Sequence, residues 1–319
     1  MAGGSHGTKA ILAAFFANLG IAIAKFIGFA FTGASSMLAE AIHSVADTGN
    51  QALLLLGGRR ARKDPDEGFQ FGYSRERYFW SFVVALVLFT LGSLFALFEG
   101  YEKLRHPEEI TSAGWAFGIL GVAIVLESFS FRTAINESNP LRQGRTWWEF
   151  VRTARVPELP VVLLEDLGAL VGLVLAFVAV GVNVITGDPM WDALGTIAIG
   201  ILLGVIAIIL AIEMKSLLIG ESARPQEYTA IESAIESAPH VERIIHMRTQ
   251  YLGPNELLVG AKVEFDGGME ADALADAINE VERRVRDVVP HARPMYIEPD
   301  FVRQTESPVS DATETEPSH

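Results

Sequence analysis

The chain has 319 residues, half of them hydrophobic, with a mean hydropathy of +0.30 and a formal net charge of −14. Apolar runs long enough to cross a bilayer recur through the first 220 residues, which excludes an ordinary soluble protein and defines a polytopic membrane protein. With no cysteine there are no disulfides, no thiolate metal sites and no sulfur redox chemistry.

The acidic balance is uneven. From Glu221 onward 20 Asp plus Glu stand against 9 Lys plus Arg, net −11, which leaves −3 for the first 220 residues. An acidic soluble part argues against nucleic acid and against docking on anionic lipid, and solubility is the plainer reason for the charge.

The N-terminal MAGGSHGTKA is too short for a secretory or transit segment, so the first span is expected to act as the membrane signal. Six spans are predicted, at 10–31, 36–57, 78–104, 113–135, 160–182 and 190–219. The loop after the second carries Arg59, Arg60, Arg62, Lys63, Arg75 and Arg77, and the loop after the fourth carries Arg142, Arg145, Arg152 and Arg155. On the other side only Lys103 and Arg105 are basic, diluted by Glu102, Glu108 and Glu109. The positive-inside rule thus predicts a multi-pass protein with both termini cytoplasmic, and the membrane expected is the cell (plasma) membrane.

The second span, SSMLAEAIHSVADTGNQALLLLG, is the most informative stretch. Glu40, His43, Asp47 and Asn50 lie at offsets 0, 3, 7 and 10, one stripe of a helix. Ionisable groups in hydrocarbon cost several kcal/mol unless they face a cavity, a partner or an ion, so a stripe points to an ion or proton path. His43 and Asp47, at i and i+4, can direct lone pairs at one cation, and imidazole with carboxylate suits zinc and its first-row neighbours. The plainer alternative is a hydrogen-bond network that only holds a helix bundle together.

In the fifth span, PVVLLEDLGALVGLVLAF, Glu165 and Asp166 are adjacent acids deep in an apolar run. Ala169, Gly172 and Ala176 form a small-residue stripe on which the second span is expected to dock. Carboxylates from two helices at one depth repel unless a cation or protons lie between them. The two acids point about 100° apart, so one of them is either a ligand or a salt-bridge partner; Asp166 is the favoured ligand. Glu127 in the fourth span is a ligand, a proton relay or a packing group, and Lys25 in the first either neutralises a carboxylate or snorkels.

From 224 to about 302 the pattern is that of a small soluble unit. A helix at 225–238 places Tyr228, Ile231 and Ile235 on one face, and a strand follows at 241–250. The Gly253-Pro254-Asn255 turn leads to a strand at 256–265, in which Leu258, Gly260, Lys262 and Glu264 alternate with apolar neighbours. An amphipathic helix at 269–288 and a strand at 293–298 complete an α-β-β-α-β order, most compactly a three-stranded sheet with two helices on one face. The expected domains are therefore a transport domain at 1–220, a cytoplasmic domain at 221–303 and a disordered acidic tail at 304–319.

The second-span run, followed by FGYSRER entering the third, resembles the cation diffusion facilitator family of divalent-metal/proton antiporters. VVLLEDLGALVG and TGDPMWDALGTIAIGILLG are similar to the branch of that family containing the eukaryotic mitochondrial zinc transporter. The resemblance covers about residues 10–300, with its motifs in the family's order. It implies a membrane all-α six-helix bundle with a C-terminal cytoplasmic α+β, ferredoxin-like domain, assembled in the lipid bilayer as a homodimer. It further implies alternating access to a tetrahedral metal site, at which a divalent cation, most simply Zn2+, leaves the cytoplasm in exchange for protons.

The family's second-span HxxxD is met by His43 and Asp47. In its fifth-span HxxxD the aspartate is Asp166, but the histidine position is Val162. The resemblance therefore gives three matched ligands, with Glu165 as the candidate fourth, and the set is His43, Asp47, Glu165 and Asp166. A shell of one nitrogen and three oxygens also admits Mn2+, Fe2+ or Co2+. His240, His246 and His291 in the cytoplasmic domain are either metal donors or exposed histidines. A membrane metalloenzyme is the competing class, but it calls for a dense ligand motif such as HExxH, which the sequence lacks; no enzymatic activity is expected. A membrane-anchored metal sensor, the other alternative, has no use for paired intramembrane acids.

Overall fold

In the computed structural model the described residues are 11–301, apart from 13–14, 17, 25, 28–29, 31–34 and 108–112, with backbone alone at 35–44, 46, 87–89, 113 and 115. Apolar sequence in the first 220 residues becomes helix. The described residues between 11 and 30 are helical, and Ser35–Arg60 (α1) is a helix of 26 residues covering the predicted second span. Glu76–Val83 (α2), a π-helical turn at Val84–Phe89 and Thr90–Arg105 (α3) run on as the third span.

The fourth span is Ala113–Arg142 (α4) and the fifth is Glu158–Thr186 (α6), ended by Gly187 at φ 68°, a left-handed cap that glycine takes without strain. The sixth is Met190–Ile219 (α7), the range predicted from sequence. Between α4 and α6 lies a short helix, Trp147–Thr153 (α5), which the sequence reading treats as loop. Thr146 caps it by accepting the Glu149 N–H at 3.2 Å, and its Phe150 and Val151 are buried.

Among the described residues, four helices are long and apolar enough to cross a membrane: Glu76–Arg105, Ala116–Arg142, Glu158–Thr186 and Met190–Ile219. The polar residues of α1 interrupt its apolar run.

Small residues set how closely the spans approach. A Cβ on Gly200 of α7 would come within 2.9 Å of the Leu97 backbone nitrogen of α3, and Ser93 Oγ donates to the Gly200 carbonyl at 2.7 Å. At the far end of this pair, Lys103 meets Asp192 at 3.0 Å. The small-residue face of α6 also takes α7: a Cβ on Gly168 would lie 2.7 Å from Ile206, and one on Gly172 would lie 3.7 Å from Ile199. This corrects the expectation that the second span docks there. α1 packs instead on α2, where Gly57 meets Trp80, and it reaches α6 through long polar side chains rather than by close backbone approach. Near the helix ends, Arg77 of α2 and Glu158 of α6 form a buried ion pair at 3.4 Å.

Described residues up to Gly220 form one compact unit, and those from Glu221, apart from 252–255, form a second. The second has the predicted order: Pro225–Glu236 (α8), Val241–Gly253 (β1), Glu256–Phe265 (β2), Ala271–Val288 (α9) and Ala292–Pro299 (β3). The sheet order is β1-β2-β3, with β2 and β3 parallel and Val259 opposite Met295. β1 and β2 are joined by only Pro254 and Asn255, a hairpin connection.

Alternation along β2 turns Leu257, Val259, Ala261, Val263 and Phe265 into the core, while Leu258, Gly260, Lys262 and Glu264 stay half-buried on the other face. Ile231 and Ile235 of α8 and Val281 and Val285 of α9 bury against that core, and Tyr228 packs at its edge.

Glu227 ties this unit together. Its carboxylate accepts the Tyr251 hydroxyl at 2.6 Å and the Arg224 backbone N–H at 3.0 Å, and lies 3.4 Å from His291 Nε2. Burial pushes its pKa up, but the hydrogen bonds from His291, Tyr251 and the Arg224 backbone outweigh that and hold it at about 2, below the ordinary 4.5. Stability from this group is therefore fully present above about pH 4.5 and is lost as pH falls toward about 2.

Two results are expected for a fragment covering 221–303. It folds alone into a soluble α+β unit, and random-coil circular dichroism would contradict this. Glu227→Gln lowers its stability at pH 7 by about 1–2 kcal/mol and flattens its loss of stability between about pH 5 and pH 2. An unaltered acid limb in that variant would contradict the role given to Glu227.

Candidate metal centre

Two helices bring the acids together. On α1, Asp47 is half-buried, Asn50 is 4% exposed and Gln51 is fully buried. On α6, Glu165 is 9% and Asp166 2% exposed. Asp47 lies within electrostatic reach of both Glu165 and Asp166. Three carboxylates thus share one poorly solvated region, where charge repulsion is far less screened than in water.

The polar groups around them are donors. Asn50 Nδ2 donates to Glu165 Oε1 and Gln51 Nε2 to Glu165 Oε2, each at 3.0 Å. Asn18 of the first span donates to Gln51 Oε1 at 3.5 Å. Asp166 Oδ2 accepts from Ser130 of α4 at 2.8 Å. The Asn50 carbonyl oxygen is buried and has no hydrogen-bond partner among the described residues, which costs about 1–3 kcal/mol unless a cation or donor reaches it.

The sequence-predicted residues divide as follows. Asp47, Asn50, Glu165 and Asp166 are gathered between α1 and α6. Val162, at the position where the resembled family has a histidine, is 1% exposed and packed in the apolar core. Glu127 is half-buried on α4. The side chains of Glu40 and His43 lie outside the described residues, as does Lys25, so the proposed nitrogen ligand is placed only by its position on the helix. Among the described residues, no three His, Asp or Glu groups are close enough to share one ion as they stand.

Sequence reasoning missed Asn18, Ser130 and Gln51. For Gln51 the signal was present. It is four residues beyond Asp47 and eleven beyond Glu40, about 20° from the latter around the helix, and so belongs to the same polar stripe. For Asn18 and Ser130, single polar residues in apolar spans, the sequence offers no distinguishing pattern.

A bundle of apolar helices with acids from two spans facing each other defines a protein that handles cations within a membrane. Residues 11–219 match the cation efflux transmembrane domain and residues 223–300 match the cation efflux protein cytoplasmic domain. The chain belongs to the cation efflux family, and the expected class of transmembrane helix bundle with a C-terminal cytoplasmic α+β domain holds.

Among curated relatives, the chain is 36% identical over 245 residues to the mouse mitochondrial proton-coupled zinc antiporter SLC30A9, covering 76% of this chain and 43% of that protein. It is 34% identical over the same length to the human protein of that name, again covering 76% of this chain and 43% of the relative. With metal tolerance protein C4 of Arabidopsis thaliana the identity is 30% over 267 residues, 83% of this chain and 58% of the relative. The chain thus spans about half the length of the curated relatives it matches.

These proteins are named as antiporters or metal tolerance proteins, not as enzymes. The mitochondrial designation of the antiporters overturns the expected plasma-membrane location, while the multi-pass character stands. The physical reason is that charge asymmetry in loops orients spans within a membrane but does not select which membrane.

Proposed function

We propose that the chain is a secondary transporter that moves a divalent metal cation, zinc first, out of the cytoplasm in exchange for protons, working as a homodimer. The observation that supports this best is the gathering of Asp47 with Glu165 and Asp166 from two spans, beside a buried amide oxygen that has no partner among the described residues. Acids so placed gain from a cation what they lose in hydration.

The proposed ligands are His43, Asp47, Glu165 and Asp166. Metal binding requires the imidazole neutral and the carboxylates ionised, so metal and protons compete for the same donors. That competition couples the two fluxes without a separate proton site. Rocking of α1 against α6 during alternating access would bring the donors around the ion and then part them. The dimer is supported by the match of residues 223–300 to a cytoplasmic domain family named for dimerisation. The zinc and proton assignments are supported by the relatives named as proton-coupled zinc antiporters.

One observation favours a second cargo. With Val162 buried among apolar side chains, the shell has one nitrogen and three oxygens, hard enough for Mn2+, Fe2+ or Co2+ beside Zn2+.

In proteoliposomes with an imposed pH gradient, zinc flux is expected in the unaltered protein and is abolished by His43→Ala or Asp47→Ala without loss of membrane insertion. Normal zinc flux in Asp47→Ala would sink the site assignment. Glu165→Gln is expected to weaken metal affinity at least tenfold, about 1.4 kcal/mol. Adding Val162→His to that background restores part of the zinc affinity and weakens manganese binding, read by titration calorimetry. Unchanged affinity in Glu165→Gln together with lower thermal stability would assign Glu165 a structural role instead.

A further inference from the structure

Gln51 is fully buried, although it carries four hydrogen-bonding positions and sits in a span. Its amide is used at both ends: Oε1 accepts from Asn18 of the first span, and Nε2 donates to Glu165 Oε2. The neighbouring Asn50 donates to the other oxygen of the same carboxylate. Consecutive residues of α1 therefore take one oxygen each of a single acid on α6.

We propose that Asn50 and Gln51 are positioning residues of the transport site, two side-chain amides that grip both oxygens of Glu165 and so set which of its lone pairs face the ion. The inference rests on Glu165 being a ligand, as proposed above. A carboxylate offers about four lone-pair sites, and one taken on each oxygen leaves one on each for a metal. Gripped at both oxygens, the group is no longer free to rotate about its terminal bond. Gln51 is itself fixed in orientation by Asn18, so three spans together determine where the remaining lone pairs point. Hydrogen-bonding partners that orient a ligand in this way commonly change metal affinity tenfold to a hundredfold when removed.

The grip also bears on metal choice. Where Val162 stands, no imidazole of α6 is available to define the geometry of the shell, so the direction of the Glu165 lone pairs matters more. A rigid carboxylate suits the four-coordinate geometry of zinc, whereas a freely turning one accommodates the larger shells taken by manganese. Gln51 lies one helical turn beyond Asp47, so the residue that orients the α6 ligand rides on the helix that carries the α1 ligands. Any movement of α1 relative to α6 changes the Glu165 grip and the Asp47 position together.

The test uses the purified full-length protein, with zinc and manganese dissociation constants from titration calorimetry and thermal stability measured alongside. Gln51→Met removes both hydrogen bonds of that side chain at similar length, and Asn50→Leu removes the one that Asn50 gives to Glu165. Each is expected to raise the zinc dissociation constant about tenfold and to narrow the preference for zinc over manganese. In the Glu165→Gln background the same changes should add less than twofold, because the group they orient is already altered.

The proposal is overturned if Gln51→Met lowers thermal stability while leaving both constants unchanged, or if its effect multiplies in full with that of Glu165→Gln. An unchanged constant in Glu165→Gln, with binding abolished in Asp47→Ala, overturns the proposal while the transport reading survives.

Discussion

The structure depends on holding half-buried Asp47 close to buried Glu165 and Asp166 between two membrane helices. A carboxylate in such surroundings is costly to ionise alone, and three within mutual reach are costlier still. The arrangement has three kinds of compensation available: hydrogen bonds, protons and a cation. Hydrogen bonds are provided by Asn50 and Gln51 to Glu165 and by Ser130 to Asp166. A site able to take protons or a cation in turn has the property an exchanger needs, since loading with one favours release of the other.

The rest of the membrane unit supplies a rigid frame for that region. α7 packs tightly on α3 through Gly200 and Gly100 and on α6 through Gly168 and Gly172, and additional side-chain volume at these points would push the spans apart. α1 is held differently, by Trp80 at one end and by amide side chains at the acids. Of the two helices that carry these acids, α6 is therefore locked to its neighbour by close packing, and α1 by close packing at one end and polar contacts at the acids. The π-helical turn in the third span, at Val84–Phe89, is a further place where the frame departs from regular helix, of a kind often found at functional positions.

Much of this is legible in the sequence because hydropathy and helical period are strong signals. The sixth span and β2 were predicted residue for residue, and the polar stripe of α1 follows from the positions of four residues. The partner of the small-residue face of α6 was misassigned to the second span, since Ala169, Gly172 and Ala176 say that a helix comes close but not which one. Ile199 and Ile206 of α7 do so. Helix α5 was missed because seven residues with four nearby arginines carry too little apolar period to stand out. Gln51 was legible and overlooked, whereas Asn18 and Ser130 acquire meaning only from the fold that brings them to Gln51 and Asp166. The orientation of Glu165 is likewise a tertiary fact, fixed by amides more than 110 residues away in the chain.

The central claim is that metal and protons compete for one set of donors, and proton release on metal binding tests it most directly. Zinc added to the purified protein in weakly buffered solution should acidify the medium in proportion to the metal bound. Both binding and acidification should vanish when Asp47 and Asp166 are replaced by alanine. Stoichiometric zinc binding with no proton release, or release that persists in the doubly substituted protein, would contradict the account.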